Sequence, residues 1–118
     1  MRATQITIEG KKYWITYALS VEMALEERGL KMKDLSANPS ATLYVALMAE
    51  MLKAGARWAK RTGEQYIDPP DEKDLADMID TNTLKDLMVQ MADVIRGERH
   101  VVAKPAKGKK DSAGASGG

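Results

Sequence analysis

Cysteine and phenylalanine are absent from the 118 residues of this chain, and histidine occurs once. The absence of cysteine excludes disulfides and thiolate metal sites. No signal-peptide pattern opens the sequence, and its longest mainly apolar stretch, residues 41–49, is far shorter than the roughly 20 residues of a transmembrane helix. We therefore expect a soluble chain inside the cell.

An excess of charge of one sign is also missing, since 18 basic residues stand against 17 acidic ones. This near-balance argues against electrostatic capture of nucleic acid. No Ser/His/Asp arrangement, phosphate-binding loop or dinucleotide fingerprint is found, and His100 has no second ligand at metal-binding spacing. We therefore expect a protein that is not an enzyme, with no cofactor or metal and with no small-molecule substrate, nucleic acid or membrane as partner.

A row of aspartates spaced by three residues, Asp71, Asp74, Asp77 and Asp80, is the one acidic pattern that could hold a metal ion. It lacks the glycine and the alternating oxygen ligands of a calcium loop. Acidic residues near a helix N-terminus are in any case favoured by the helix dipole. We therefore interpret the row as an exposed helix face.

The end of the chain differs in composition from the rest. Residues 103–118 contain no large apolar side chain, and lysine, glycine, alanine and serine dominate them. Ordering such a segment costs about 1–2 kcal/mol per residue in backbone entropy, with no burial to offset it. We therefore predict a single helical domain with an N-terminal hairpin over residues 1–100, followed by a flexible basic Gly/Ser-containing tail over 101–118.

Alternating apolar residues predict a β-hairpin over residues 4–17. With Glu9-Gly10 as a two-residue turn, Ile8 pairs with Lys11 and Ile6 pairs with Tyr13. Successive side chains of a strand point to opposite faces, so the register divides the hairpin into two faces. The apolar face holds Ile6, Ile8, Tyr13 and Ile15, and the other holds Thr7, Lys12, Trp14 and Thr16.

Two helices follow the hairpin in the predicted order. Ser20 is a candidate N-cap for a helix over residues 21–28, which Gly29 ends because it tolerates the left-handed conformation. Asn38-Pro39 then opens a long helix, with asparagine as cap and proline in the first turn. We expect this central helix to reach about Lys60 and to end before Gly63.

Two further helices complete the predicted fold. The first, over residues 71–79, follows Pro69-Pro70, and the second, over residues 83–95, is capped by Thr83 and ended by Gly97. The fold class is therefore α+β and mainly α, with the N-terminal hairpin packed on a small bundle of about four helices.

The central helix is apolar over an unusually wide arc. Its polar stripe is narrow and consists of Thr42, Glu50, Lys53 and Arg57, together with Ala46 and Ala49. The remaining arc is wider than short neighbouring helices can cover, and a contiguous exposed apolar surface usually marks a partner site.

Methionine occurs eight times. Its flexible side chain either fills a core or adapts to apolar partners. Some of the residues on this surface must belong to the core. By pattern alone, the candidate partner-binding residues are Trp14, Leu47, Met48, Met51, Leu52, Met88 and Met91.

The order of these elements resembles that of the tail assembly chaperones of long-tailed bacteriophages. The likeness begins with the hairpin sequence GKKY at Gly10–Tyr13 and continues with MALEERG at Met23–Gly29. An apolar central helix over residues 41–58, an acidic segment with a final amphipathic helix over 71–95, and a charged C-terminus complete it. The likeness spans roughly residues 4–96 and is one of pattern rather than of a single motif.

The resemblance implies a function without catalysis in the host cytoplasm. Such chaperones bind the tape measure protein, keep it soluble and aid assembly of the tail tube. In many of them a ribosomal frameshift creates a longer form that contacts the tail tube protein, and the junction here would fall after Lys104, near Lys109-Lys110. A homo-oligomer is left open. The alternative is a small structural tail or head–tail completion protein of the virion.

Overall fold

The computed structural model describes residues 3–37 and 40–100, which form an N-terminal hairpin and a set of helices. In order, these elements are β1 (Thr4–Ile8), β2 (Lys11–Ile15), α1 (Leu19–Glu27), α2 (Asp34–Ala37), α3 (Ala41–Thr62), α4 (Glu72–Met78) and α5 (Thr81–His100). The predicted α+β, mainly α class with an N-terminal hairpin is confirmed. The predicted tail over 101–118 lies outside the described residues.

The hairpin has the predicted register, with Ile6 opposite Tyr13 and Ile8 opposite Lys11. Both turn residues are left-handed, Glu9 at φ 51° and Gly10 at φ 77°, as a two-residue type I′ turn requires. The predicted apolar face is buried. Thr16, which we placed on the opposite and polar face, is also fully buried. Its backbone N–H donates to the carbonyl oxygen of Met51 over 3.3 Å, so the chain leaves β2 in contact with α3.

Helix α3 lies at the centre of the fold. Its N-cap is Ser40, whose hydroxyl oxygen accepts the backbone N–H of Leu43 over 3.1 Å, and it ends at Gly63 in the left-handed conformation. The predicted opening at Asn38-Pro39 lies outside the described residues. The predicted polar stripe is wrong at Ala46 and Ala49, which are buried against neighbouring elements.

The hairpin approaches α3 so closely that only glycine fits between them. A Cβ atom added to Gly55 would lie 2.1 Å from the carbonyl oxygen of Trp14. Helix α3 also packs against α1 and α4, while α5 lies along β1. Because α3 is enclosed on several sides, its wide apolar arc becomes the core of the domain.

Several predicted helix ends are wrong. Helix α1 begins at Leu19 with Ala18 as N-cap, so Ser20 is not the cap, and its hydroxyl oxygen accepts a hydrogen bond from Arg57 instead. The carboxylate of Asp80 accepts the backbone N–H of Thr83 over 2.8 Å, and α5 therefore starts before Thr83.

Hydrogen bonds from the backbone N–H and the hydroxyl of Thr83 hold the pKa of Asp80 below its ordinary value. At the other end of α5, Gly97 does not terminate the helix, which continues to His100. A glycine inside a helix costs only about 1 kcal/mol relative to alanine, so the helix can run through it. Within the described ranges, none of the helices has the length and hydrophobicity needed to cross a bilayer.

Candidate functional site

Most of the predicted partner-binding residues belong to the core. Their exposed fractions are close to zero: Leu47 1%, Met48 0%, Met51 0%, Leu52 0% and Met91 1%. The expectation that the central helix carries more apolar surface than the domain can cover is therefore wrong along most of its length, because the hairpin, α1 and α4 pack on it. Trp14 and Met88 are half-buried.

Trp14 is built into the junction between the hairpin and the loop that follows α3. Its ring centroid lies 4.9 Å from that of Trp58 at an interplanar angle of 52°, as in a tilted aromatic pair. Its indole N–H donates to the carbonyl oxygen of Gln65 over 2.8 Å. Trp14 therefore fixes residues of this loop against the hairpin.

A groove between α2 and α5 has a mainly apolar lining, and we call it the α2–α5 groove. It encloses about 710 Å³ and has a floor on α3. Its apolar lining residues are Met32, Leu35, Tyr44, Leu47, Met88, Val89, Met91, Ala92 and Ile95. Three of the predicted residues, Leu47, Met88 and Met91, therefore meet in it, whereas Trp14, Met48, Met51 and Leu52 do not line it.

Local structure positions the two walls of the α2–α5 groove. The hydroxyl of Tyr44 donates to the backbone carbonyl of Leu35 over 3.0 Å, which fixes the short α2 segment to the start of α3. On α5, the spacing of Met88, Met91 and Ile95 places them on one helical face. Val89 lies at the edge of this face and remains 64% exposed, which is high for an aliphatic side chain beside the core.

The charged side chains that line the α2–α5 groove are all basic. Lys33, Lys85 and Arg96 line it, and no acidic residue does so among the described lining residues. Arg96 also forms an ion pair with Asp93, which offsets part of its charge. The groove therefore combines an apolar interior with a basic rim, which favours an apolar ligand carrying acidic groups.

No protein-family model, curated protein or solved structure matches the chain.

A separate charged cluster joins α1, α3 and α4. The guanidinium of Arg28 donates two hydrogen bonds, of 2.7 and 3.0 Å, to the carboxylate of Glu72. Glu50 lies 3.8 Å from the same guanidinium and 3.6 Å from the amine of Lys53. The hydrogen bond from Arg28 holds the pKa of Glu72 below its ordinary value, and the same bond raises the pKa of Arg28.

Among the described residues, no group of three His, Cys, Asp or Glu side chains is placed to hold a metal ion. Of the aspartate row, Asp71 is the N-cap of α4, where its carboxylate accepts the backbone N–H of Asp74 over 2.8 Å.

Several groove residues escaped the sequence reasoning. Met32, Leu35, Tyr44, Val89 and Ile95 come from three separate segments, and helical periodicity does not reveal which faces will border a common cleft. The seven-residue separation of Met88 and Ile95 was a usable signal for one wall. A second omission is the exposed pair on α1, Leu19 at 69% and Met23 at 53% exposure.

Proposed function

We propose that this chain is a non-catalytic tail assembly chaperone of a long-tailed bacteriophage, which binds apolar helical segments of the tape measure protein. The observation that carries the proposal is the α2–α5 groove, an apolar concavity open to solvent on one side of the domain. The order of elements, from the hairpin through the apolar central helix to the amphipathic α5, supports the same assignment.

The lining of the groove suits a client whose sequence varies along its length. Met32 and Met88 are half-buried on opposite walls, and Met91 lies in the interior. Methionine side chains are flexible and polarisable, so they can repack around different apolar residues. A long helical protein presents many similar but non-identical apolar stripes, and an adaptable groove can bind them in turn.

The basic rim adds a preference about charge. Lys33, Lys85 and Arg96 favour a client helix whose apolar stripe is bordered by glutamate or aspartate. Exposed charges are screened by salt, with a Debye length of about 8 Å at physiological ionic strength. Binding to an acidic client segment should therefore weaken as salt rises, while binding to a neutral segment should change little.

Co-expression with the tape measure protein tests the proposal. We expect the soluble yield of that client to rise with the wild-type chain and to fall to the level without chaperone when Met88→Glu and Val89→Glu are combined. The control is Gln90→Glu, which adds one negative charge to α5, half the charge of the double variant, at an exposed position outside the groove lining. Equal client solubility with and without the chain would refute the proposal.

Purified virions give an independent test, because an assembly chaperone leaves the finished particle. We expect mass spectrometry to find the tail tube protein there and this chain to be absent. Stoichiometric presence would instead identify a structural tail or head–tail completion protein.

On the same proposal the chain acts in the host cytoplasm, and a longer frameshifted product contacts the tail tube protein. The coding DNA across residues 108–111 tests the second part. A slippery run of adenines followed by an open second frame is expected there, and an uninterrupted ordinary codon sequence would contradict it.

A further inference from the structure

The outward face of α1 combines exposed apolar side chains with acidic ones. Leu19 and Met23 are one turn apart and are 69% and 53% exposed. They lie opposite Val21 and Leu25, which hold the helix on the core. At about 100° per residue, Glu26 and Glu27 fall on either side of the apolar pair. Neither glutamate forms an ion pair within the described ranges.

This face has the chemistry that the α2–α5 groove favours. The groove supplies an apolar interior with a rim of Lys33, Lys85 and Arg96. The face of α1 supplies a short apolar stripe bordered by carboxylates. We propose that α1 of one copy docks in the α2–α5 groove of a second copy, with Leu19 and Met23 inserted and the glutamates at the basic rim.

Alternative occupants within the same chain fit less well. A copy cannot place its own α1 in its groove, because Val21 and Leu25 are buried and direct the opposite face outward. The C-terminal segment carries Lys104, Lys107, Lys109 and Lys110, which have the same sign as the rim. Charge complementarity therefore selects α1 of another copy.

The two docking surfaces differ, so the contact is head-to-tail. A pair joined by such a contact still has one free groove and one free α1 face, so further subunits can add to form rings or chains. Only two apolar side chains enter the groove, so the association is weak and depends on concentration. It covers the groove when no client is present, and a client helix competes with it. The association does not depend on the identity of the client, and its failure would leave the proposed function standing.

Complementary variants of the full chain test the contact by sedimentation velocity. Val89→Glu places a carboxylate at the groove edge and repels the glutamates of α1. Met23→Lys places an amine on α1 and repels the basic rim. We expect wild-type protein to exceed its monomer mass of 13.0 kDa increasingly with concentration, and each variant alone to stay monomeric.

The decisive sample is an equimolar mixture of the two variants. One partner keeps an intact α1 and the other an intact groove, so the mixture should form a species of at least twice the monomer mass. The two altered surfaces carry opposite charges, so growth beyond that mass also agrees with the contact. Lys11→Glu, at the exposed start of β2 and outside both surfaces, should associate like wild type. If Met23→Lys lowers the helix content by circular dichroism, Glu26→Lys combined with Glu27→Lys replaces it.

Three results would overturn the proposal. They are a wild-type chain that stays monomeric up to millimolar concentration, a mixture of folded variants that stays monomeric, and disruption by the groove variant without disruption by the α1 variant. The last result would indicate contact between two grooves. Raised salt should shift the wild-type equilibrium towards monomer.

Discussion

Replacing Gly55 with alanine puts a methyl group where the backbone of β2 already lies. The added Cβ would be 2.1 Å from the carbonyl oxygen of Trp14 and 2.7 Å from the backbone nitrogen of Ile15, whereas ordinary contacts begin at 3.4 Å. The hairpin would have to move away from α3 by about 1.3 Å, the difference between the first and last of these distances. Because the obstacle is backbone, no side-chain rotation can relieve it.

Two opposing terms set the size of the effect. Alanine is a better helix former than glycine by about 1 kcal/mol, so helix propensity alone predicts stabilisation. Overpacking typically costs about 1–3 kcal/mol, and separation of the two elements also weakens the hydrogen bond between Thr16 and Met51, worth about 1 kcal/mol. With these terms combined, we expect a net loss of about 2 kcal/mol in the free energy of unfolding. For a domain of this size the melting temperature falls by roughly 8–16 °C.

The assay is urea unfolding of Gly55→Ala followed by far-UV circular dichroism. Ala56→Gly is the matched control, because it changes the same two residue types in the opposite direction one position along α3. It should lose about 1 kcal/mol from helix propensity. If Gly55→Ala is as stable as wild type or more stable, the close approach of β2 to α3 is not a feature of the protein in solution.

Further substitutions separate the contributions of the core, the helix cap and the surface to the free energy of unfolding. Leu52→Ala should lower the free energy of unfolding by about 2–5 kcal/mol through a buried cavity, whereas Met23→Ala on the exposed face of α1 should change it by less than about 0.5 kcal/mol in the same denaturation assay. Ser40→Ala should cost about 1 kcal/mol through loss of the α3 cap, and Ser40→Thr should retain most of it. Arg28→Met should cost less than about 1 kcal/mol, because the pair with Glu72 is substantially exposed. Folding lowers the pKa of Glu72, so the stability that this pair contributes is present above the ordinary glutamate pKa and is lost as pH falls through the folded value. The free energies of unfolding of wild type and Arg28→Met should therefore converge in acid. A difference in stability that persisted unchanged at acid pH would contradict this assignment.

The hairpin could be predicted in detail because its determinants are local. The alternation of apolar and polar residues defines the two faces of the hairpin, and Glu9-Gly10 defines a two-residue turn. The pairing of Ile6 with Tyr13 follows from these two features. The position of Thr16 could not be predicted in this way. Its burial arises from the contact of its backbone with Met51, which is distant in the sequence.

Helix caps were harder because neighbouring residues compete for the same role. Ser40 is the cap seen at α3, and Asp80 rather than Thr83 accepts the free N–H at the start of α5. Each of these residue types is a good cap, and propensity alone does not choose between positions a few residues apart.

The groove was predicted only in part, for a related reason. Periodicity identified Met88 and Met91 on the apolar face of α5. It could not show that Met48 and Met51 would be fully buried while Tyr44 would line the groove. That distinction depends on which elements pack around α3, and the width of an apolar arc does not specify its neighbours.

The pairing of Trp14 with Trp58 has a practical consequence for spectroscopy. The chain contains 2 tryptophans, and both are in this pair, so intrinsic fluorescence reports on a single place in the molecule. Quenching or a red shift would register separation of the hairpin from α3 or release of Gln65. A ligand entering between α2 and α5, where Tyr44 is the aromatic residue of the lining, would leave that emission nearly unchanged.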